Sequence, residues 1–203
     1  LLMSDTQLTS RQKDIAHAAL ELIDQVGPQG LTTSALAHEL GFTTGALFRH
    51  FNSMEHILAT CVHLLTTHMH QVLTAPEPEA SAPERLRGRL LRISQASAQI
   101  PGLCSFMFST QVAHVLPQEA LVRVMTTMTA GRERMLKTLE EGQKEGTIRQ
   151  DLSPEQLAPV VLATMRHIIF IERSRIAERL AFAPSAEQLT ETLIALLQRR
   201  EAS

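Results

Sequence analysis

The chain has 203 residues, of which 44% are apolar and 20% charged, with a formal net charge of −2. That length holds one or two domains with a substantial core, and the composition excludes collagen-like and wholly disordered chains. The charge balance excludes a protein that coats nucleic acid by bulk charge, and seven Phe without Trp or Tyr argue against a stacking platform for single strands. Cys61 and Cys104 stand 43 positions apart with no CxxC, so a disulfide framework is excluded and a reducing cytoplasm is expected. Asp5, Arg11, Lys13 and Asp14 interrupt any early apolar run, so no secretory leader is expected. Residues 93–118 carry no Asp, Glu, Lys or Arg, but Ser94, Gln95, Ser97, Gln99, Pro101-Gly102 and His114 make them a buried segment rather than a membrane span.

The periodicity is helical nearly throughout. Ile15, Ala19, Leu22 and Val26 form one stripe, stopped by Gly27-Pro28. A short helix is expected from Thr33 to Leu40, ended by Gly41, and a second from about Thr44 to Phe51. Asn52-Ser53 cap a long helix with the stripe Leu58, Cys61, Leu65, Met69 and Val72, which ends before the Pro-rich loop 76–83. A helix from Pro83 to about Gln99 follows, then a break at Pro101-Gly102 and an apolar helix to about Val115. Pro117 opens the next, with the stripe Leu121, Met125, Met128, Arg132, Met135 and Leu139, and Gly142 and Gly146 mark its end. Ser153-Pro154-Glu155 reads as N-cap, first-turn proline and acidic first turn of another helix, and a last helix runs from Ser185 to Arg200. The Ile168–Ile171 run has strand composition, yet it continues the helical pattern begun at Leu157, so helix is expected.

The helix beginning at Ser153 is apolar on nearly every side: Leu157, Val160, Val161, Leu162, Met165, Ile168, Ile169, Phe170 and Ile171. Such a helix must be covered on both faces. One face can meet its own core. The other calls for a second subunit beside the last helix, with Val161, Ile168, Leu189, Leu193, Leu196 and Leu197 as candidate interface residues. Enclosure of both faces within a larger monomer core is the alternative.

Two short helices joined by Leu40-Gly41-Phe42 make a helix-turn-helix unit. Gly41 supplies the left-handed conformation of the turn, and Ala37 keeps the side facing the second helix small. Leu36, Leu40, Phe42 and Leu47 fill the space between the helices. Thr43, Thr44, Gly45, Ala46, Arg49 and His50 are left outward on the second helix. Small and hydroxylated side chains at its amino end permit close approach to base edges, and free amides there can meet phosphate. Arg49 suits a bidentate contact to guanine or a phosphate contact.

The run Thr32-Thr-Ser-Ala-Leu-Ala-His-Glu-Leu-Gly-Phe-Thr-Thr-Gly-Ala-Leu-Phe-Arg-His-Phe51, followed by Asn52-Ser-Met-Glu-His-Ile-Leu58, resembles the amino-terminal head of the TetR/AcrR family of bacterial transcriptional regulators. The similarity is specific over residues 11–58, and residues 141–155 also look like the segment preceding that family's dimerisation helices. The resemblance implies an all-α fold of about nine helices. Residues 1–53 would form the helix-turn-helix DNA-binding domain, and residues 54–203 a helical ligand-binding and dimerisation domain. It places Thr43, Thr44, Gly45, Phe48 and His50 at positions that commonly touch DNA. With Thr33 and Arg49 they make the candidate DNA-reading set.

Two positions depart from the family's pattern. Phe48 stands where a Tyr hydroxyl usually meets phosphate, and Met54 where a Lys often does. Residues 1–53 carry Arg11, Lys13 and Arg49 against Asp5, Asp14, Glu21, Asp24 and Glu39, so the head is net acidic. Fewer cationic phosphate contacts imply a shallow salt dependence of binding.

In the body, flexible Met and Phe side chains around a few polar groups suggest an adaptable apolar ligand cavity, with Phe106, Met107, Gln111, Met125, Met128, Met165 and Phe170 as candidate lining; an ordinary core filled by Met is the alternative. Arg85, Arg89 and Arg92 share a helical face, either to hold an anionic head group or as a solvated charge row. His63, His68, His70 and Cys61 raise a metal reading, but His68 points away from the other two histidines and no carboxylate or second Cys completes a tetrahedral set. No GxSxG, HExxH or phosphate-binding glycine loop is present, so no enzyme, metal or cofactor is expected. The expected protein is a cytoplasmic homodimer that binds a palindromic operator in double-stranded DNA and a small-molecule effector, with no membrane partner. It would be a repressor released by a largely apolar ligand. The alternatives are a metal-responsive regulator of the same fold and a helical dimeric scaffold without DNA binding.

Overall fold

The computed structural model describes residues 8–103, 114, 116–173 and 184–198. Among them are eight α-helices: α1 (Ser10–Val26), α2 (Thr33–Glu39), α3 (Thr44–Leu47), α4 (Met54–Thr74), α5 (Ala82–Gln99), α6 (Gln118–Lys144), α7 (Pro154–Arg173) and α8 (Ala186–Leu197). A 3-10 turn at Pro28–Gly30 links α1 to α2, and no strand occurs among the described residues beyond one isolated antiparallel bridge between Ile148 and Gln198. The all-α expectation therefore holds, and Ile168–Ile171 is helical. The apolar helix expected up to Val115 lies almost wholly outside the described residues.

The chain divides into two compact units: Leu1–His70 with Ile100–Thr127, and Gln71–Gln99 with Met128–Ser203. In the first, α1 begins with a reciprocal cap in which Thr9 Oγ1 accepts from Gln12 N while Gln12 Oε1 accepts from Thr9 N. Ile15, Ala16, Ala19, Leu20, Leu22 and Ile23 are buried on α1, and Ile57, Leu58, Cys61, Val62, Leu65 and Met69 on α4. Val26, expected at the end of the α1 stripe, is 57% exposed, because it sits on the last turn where the chain leaves for the 3-10 segment.

In the second unit, one core joins α5 (Ala82, Leu86, Leu90), α6 (Met135, Leu139), α7 (Leu157, Ala158, Val161, Ile168) and α8 (Ala186, Leu193, Ile194, Leu197), with Ile148 among them. Helix α7 starts as the sequence indicates, Ser153 Oγ accepting from Gln156 N while Gln156 Oε1 accepts from Ser153 N. Ser185 and Gln188 repeat that reciprocal cap on α8. On α6 Met135 and Leu139 of the expected stripe are buried, but over the first half the buried line runs through Ala120 and Val124 rather than Leu121, Met125, Met128 and Arg132. The helix is rotated by about one residue's 100° from the expected register over its first half, so Met125 and Met128 face out.

Gly142 was expected at the helix end but lies inside α6, which Gly146 follows with a φ of 71°. A Cβ on Gly142 would stand 2.5 Å from Ile148 Cδ1 and 2.7 Å from Ala82 Cβ. The absent side chain is what lets α6, α5 and the Ile148 segment approach each other. Gly142→Ala is expected to lower stability by about 1–3 kcal/mol through overpacking, despite alanine's better helix propensity. The measurement is a lowered urea midpoint with unchanged slope.

Candidate nucleic-acid interface

Helix α2 is capped by Thr32, whose Oγ1 accepts from Ala35 N at 3.1 Å, and α3 by Thr43, whose Oγ1 accepts from Ala46 N at 3.2 Å. Between them the chain reverses at Gly41, with a φ of 65° that an L side chain adopts only under strain. Gly41 N donates to His38 O at 3.0 Å and Phe42 N to Ala37 O at 2.7 Å, closing the turn. Leu36, Ala37 and Leu47 are buried, with Leu40 and Phe42 half-buried, so the expected plug forms around the first three of these.

Regular helix in α3 covers only four residues, Thr44–Leu47, where the sequence suggested helix to Phe51. Residues 48–50 continue as tight turns, with His50 N donating to Leu47 O at 3.0 Å. Phe51 is 1% exposed and packs edge-on to His56 at 5.1 Å. The Gln12 amide donates to His50 O at 3.0 Å. A buried ring and a tether to the first turn of α1 thus hold the end of this segment in place of continued helical hydrogen bonds.

This arrangement leaves Thr43, Thr44, Gly45, Phe48, Arg49 and His50 exposed, and Thr33 half-exposed at the start of α2. Phe48 is 44% exposed, an uncommon position for a Phe without a partner. A Cβ on Gly45 would meet nothing within 4 Å, and its φ is not positive. Neither packing nor backbone conformation requires glycine there, and its bare backbone lies open to solvent. Arg11 lies 4.4 Å over the Phe42 ring, a cation–π contact that fixes one of the head's three cations beside the turn. Sequence reasoning missed Gln12 and Arg11. The Thr9-x-x-Gln12 spacing signals the cap, but neither the reach of Gln12 to His50 nor that of Arg11 to Phe42 is visible in local spacing.

The other candidates fare differently. Phe106, Met107 and Gln111 lie outside the described residues. Met125 (59%), Met128 (43%) and Phe170 (39%) are exposed, and Met165 is half-buried against the core of the second unit. Of the expected interface residues, Val161, Ile168, Leu193 and Leu197 are interior to the second unit and Leu189 packs partly against its core. Leu196 is 56% exposed. The apolar side chains left open on α7 are instead Val160 and Phe170, with Pro159, Ala163 and His167 exposed on the same face. The α7 sequence was apolar on both faces, and the tertiary packing decided which one faced inward.

Cys61 is buried and donates to Ala16 O at 3.5 Å, and burial pushes its thiol up to about 12. His63 Nδ1 stands 2.9 Å from Arg123 Nη1, a guanidinium that would compete with any cation for that nitrogen. Among the described residues no group of three or more His, Cys, Asp or Glu could hold a metal ion, and no helix is long and apolar enough to cross a membrane.

Residues 15–61 match the family described as bacterial regulatory proteins, tetR family. The chain is 28% identical over 156 residues to the nucleoid occlusion factor SlmA of Marinobacter nauticus, covering 75% of this chain and 76% of that one. It is 27% identical over 110 residues to SlmA of Photobacterium profundum, covering 52% and 55%. Among solved structures it shares its fold with AibR in complex with isovaleryl coenzyme A and operator DNA, at a TM-score of 0.74 and 18% identity over 93% of this chain and 98% of that one. The ketosteroid regulator KstR2 of Mycobacterium tuberculosis gives a TM-score of 0.72 at 18% identity over 96% and 98%. The capped short helices and glycine turn give residues 15–61 the pattern of the bacterial tetR-family regulatory proteins, on a chain that shares its whole fold with AibR and KstR2.

Proposed function

We propose that the protein is a sequence-specific transcriptional repressor that binds a palindromic operator as a homodimer and is released by a small-molecule effector. The observation that carries the reading is the outward row Thr43, Thr44, Gly45, Phe48, Arg49 and His50, held on a buried base of Leu36, Leu47 and Phe51. A head of this geometry seats the outward side of Thr44–His50 in the major groove. The capped amino end then faces phosphate, and Arg49 is within reach of a base edge or backbone. Two heads in a dimer meet half-sites on successive turns of one side of the duplex. An effector that binds better to the form whose head spacing mismatches the operator lowers DNA affinity by that preference. AibR, solved with both a ligand and operator DNA, supports the pairing of effector and operator in this fold. The chemistry is binding, with no catalytic step, and is that of a cytoplasmic protein.

The dimer reading rests on the open apolar face of Val160 and Phe170 on α7 and Leu196 on α8. Exposed large apolar residues on two helices that pack together favour a covered surface, and a second copy supplies a self-complementary one. A second functional reading comes from the two relatives named nucleoid occlusion factors: occupancy of many sites spread over the nucleoid rather than control of a few promoters.

Selection of genomic DNA fragments by the purified protein at low salt tests both. A few palindromic sites beside promoters are expected, and sites dispersed through the genome would favour the second reading. Gly45→Glu and Arg49→Ala are expected to lose the enrichment while keeping the circular dichroism and melting temperature of the parent, since neither residue packs against the core. If both retain a specific site, the head does not read DNA through this row. The log–log salt slope of operator binding should be shallow. Met54→Lys should steepen it by about 0.9 per head. The doubly substituted Val160→Glu, Leu196→Glu protein should sediment as a folded monomer, and a persistent dimer would place the interface elsewhere.

A further inference from the structure

Between α5 and α6 in the second unit, one carboxylate faces three guanidinium groups. Glu77 enters from the loop between the exposed Pro76 and Pro78. Arg89 Nε and Nη2 donate to its two oxygens at 2.9 Å each, and Arg89 Nη2 also donates to Thr138 Oγ1 at 3.0 Å. Arg92 Nη2 donates to Glu77 Oε1 at 3.3 Å, and Arg134 Nη2 stands 3.8 Å from Oε2. The side chains grade from buried to open: Arg89 2% exposed, Glu77 11%, Arg92 31% and Arg134 35%.

A structural ion pair needs one arginine. Three cations around one anion leave two positive charges in excess, carried by the partly exposed Arg92 and Arg134. The donor inventory is unbalanced as well, since Arg89 Nη1, Arg92 Nε and Arg134 Nε are buried without a partner. Burial holds the Arg89 guanidinium below its ordinary pKa, and the fields of Arg134 and Arg92 push it the same way. The two helices offer these groups in register, Arg89 and Arg92 three apart on α5, Arg134 and Thr138 four apart on α6. Arginine clusters of this kind match the charge and the oxygen geometry of phosphate, which brings more acceptors and a second negative charge than a carboxylate can.

We propose that Arg89, Arg92 and Arg134 form a receptor for the phosphate group of a small molecule, and that Glu77 fills it in the ligand-free protein. The loop residue is a tethered competitor. An incoming phosphate displaces one carboxylate, releases the Pro76–Pro78 corner, and offers acceptors to Arg92 Nε and Arg134 Nε. The site stands independently of DNA reading, because phosphate binding is measured without DNA.

The test is calorimetric titration of the full chain with inorganic phosphate at slightly alkaline pH and constant ionic strength. Glu77→Gln removes the competitor's charge, and its affinity for phosphate should exceed that of the parent by about tenfold, the factor by which an occupied site weakens apparent binding when one molecule in ten is open. Adding Arg134→Gln to Glu77→Gln should abolish the gain. Equal affinity in parent and Glu77→Gln, or a gain that survives Arg134→Gln, would overturn the proposal. Acetate at the same concentration should bind far more weakly to Glu77→Gln, and equal binding would overturn the assignment to phosphate. Should Glu77→Gln not fold, the partly exposed Arg92→Gln and Arg134→Gln decide the matter in the parent background. Both should weaken phosphate binding at least fivefold, and no binding by the parent, or binding that neither change alters, would overturn the receptor.

Discussion

A helix of four residues closes too few hydrogen bonds to persist by itself, and one of seven is scarcely better. The head depends on a small set of side chains that hold α2 and α3 in place from beneath. Leu36, Leu47 and Phe51 are almost wholly removed from solvent. Their burial substitutes for the propagation energy that the short helices lack. The threonine caps at 32 and 43 satisfy amides that would otherwise face outward without partners, and the Gln12 amide holds His50 O where helical hydrogen bonding has ended. Apart from the Thr43 cap, the outward side chains of residues 43–50 take no part in this anchoring.

The second unit solves a different problem with the same means. Helices α5 to α8 share one apolar core, and Gly142 permits the closest approach within it. Polar residues tie its edges: Arg85 donates to Glu141 at 2.9 Å, Glu145 Oε2 accepts from Ala82 N at 3.0 Å, and Arg87 pairs with Glu191. Those pairs are one cation to one or two carboxylates, lie near solvent and contribute little individually. The Glu77 cluster inverts that ratio around a carboxylate only 11% exposed. The contrast in stoichiometry, not the presence of ion pairs, sets it apart.

Local signals in the sequence were sufficient wherever one residue decides the backbone. The Ser153 and Ser185 caps, the Gly41 turn and the Pro101-Gly102 break all stand where their chemistry places them, because cap and turn conformations depend on neighbours within a few positions. The outward row of α3 was legible for the same reason. A helix-turn-helix motif fixes which side of so short a helix can be buried.

What the sequence by itself determined, then, was an all-helical chain, its caps and turns, and the outward row of the head. Only the tertiary structure decided which face of an ambiguous helix turned inward. Helix α7 offered apolar residues on both sides, and packing against α5 and α8 took Val161 and Ile168 while leaving Val160 and Phe170 outside. On α6 the same competition buried Val124 and exposed Met125, one residue along and about 100° around. The meeting of Glu77 with Arg134, 57 positions away, likewise followed from α5 and α6 lying side by side. Side-chain periodicity specifies a stripe only when one face is clearly more apolar than the rest. Where two faces compete, or where charges converge from distant helices, the choice belongs to the packed core as a whole.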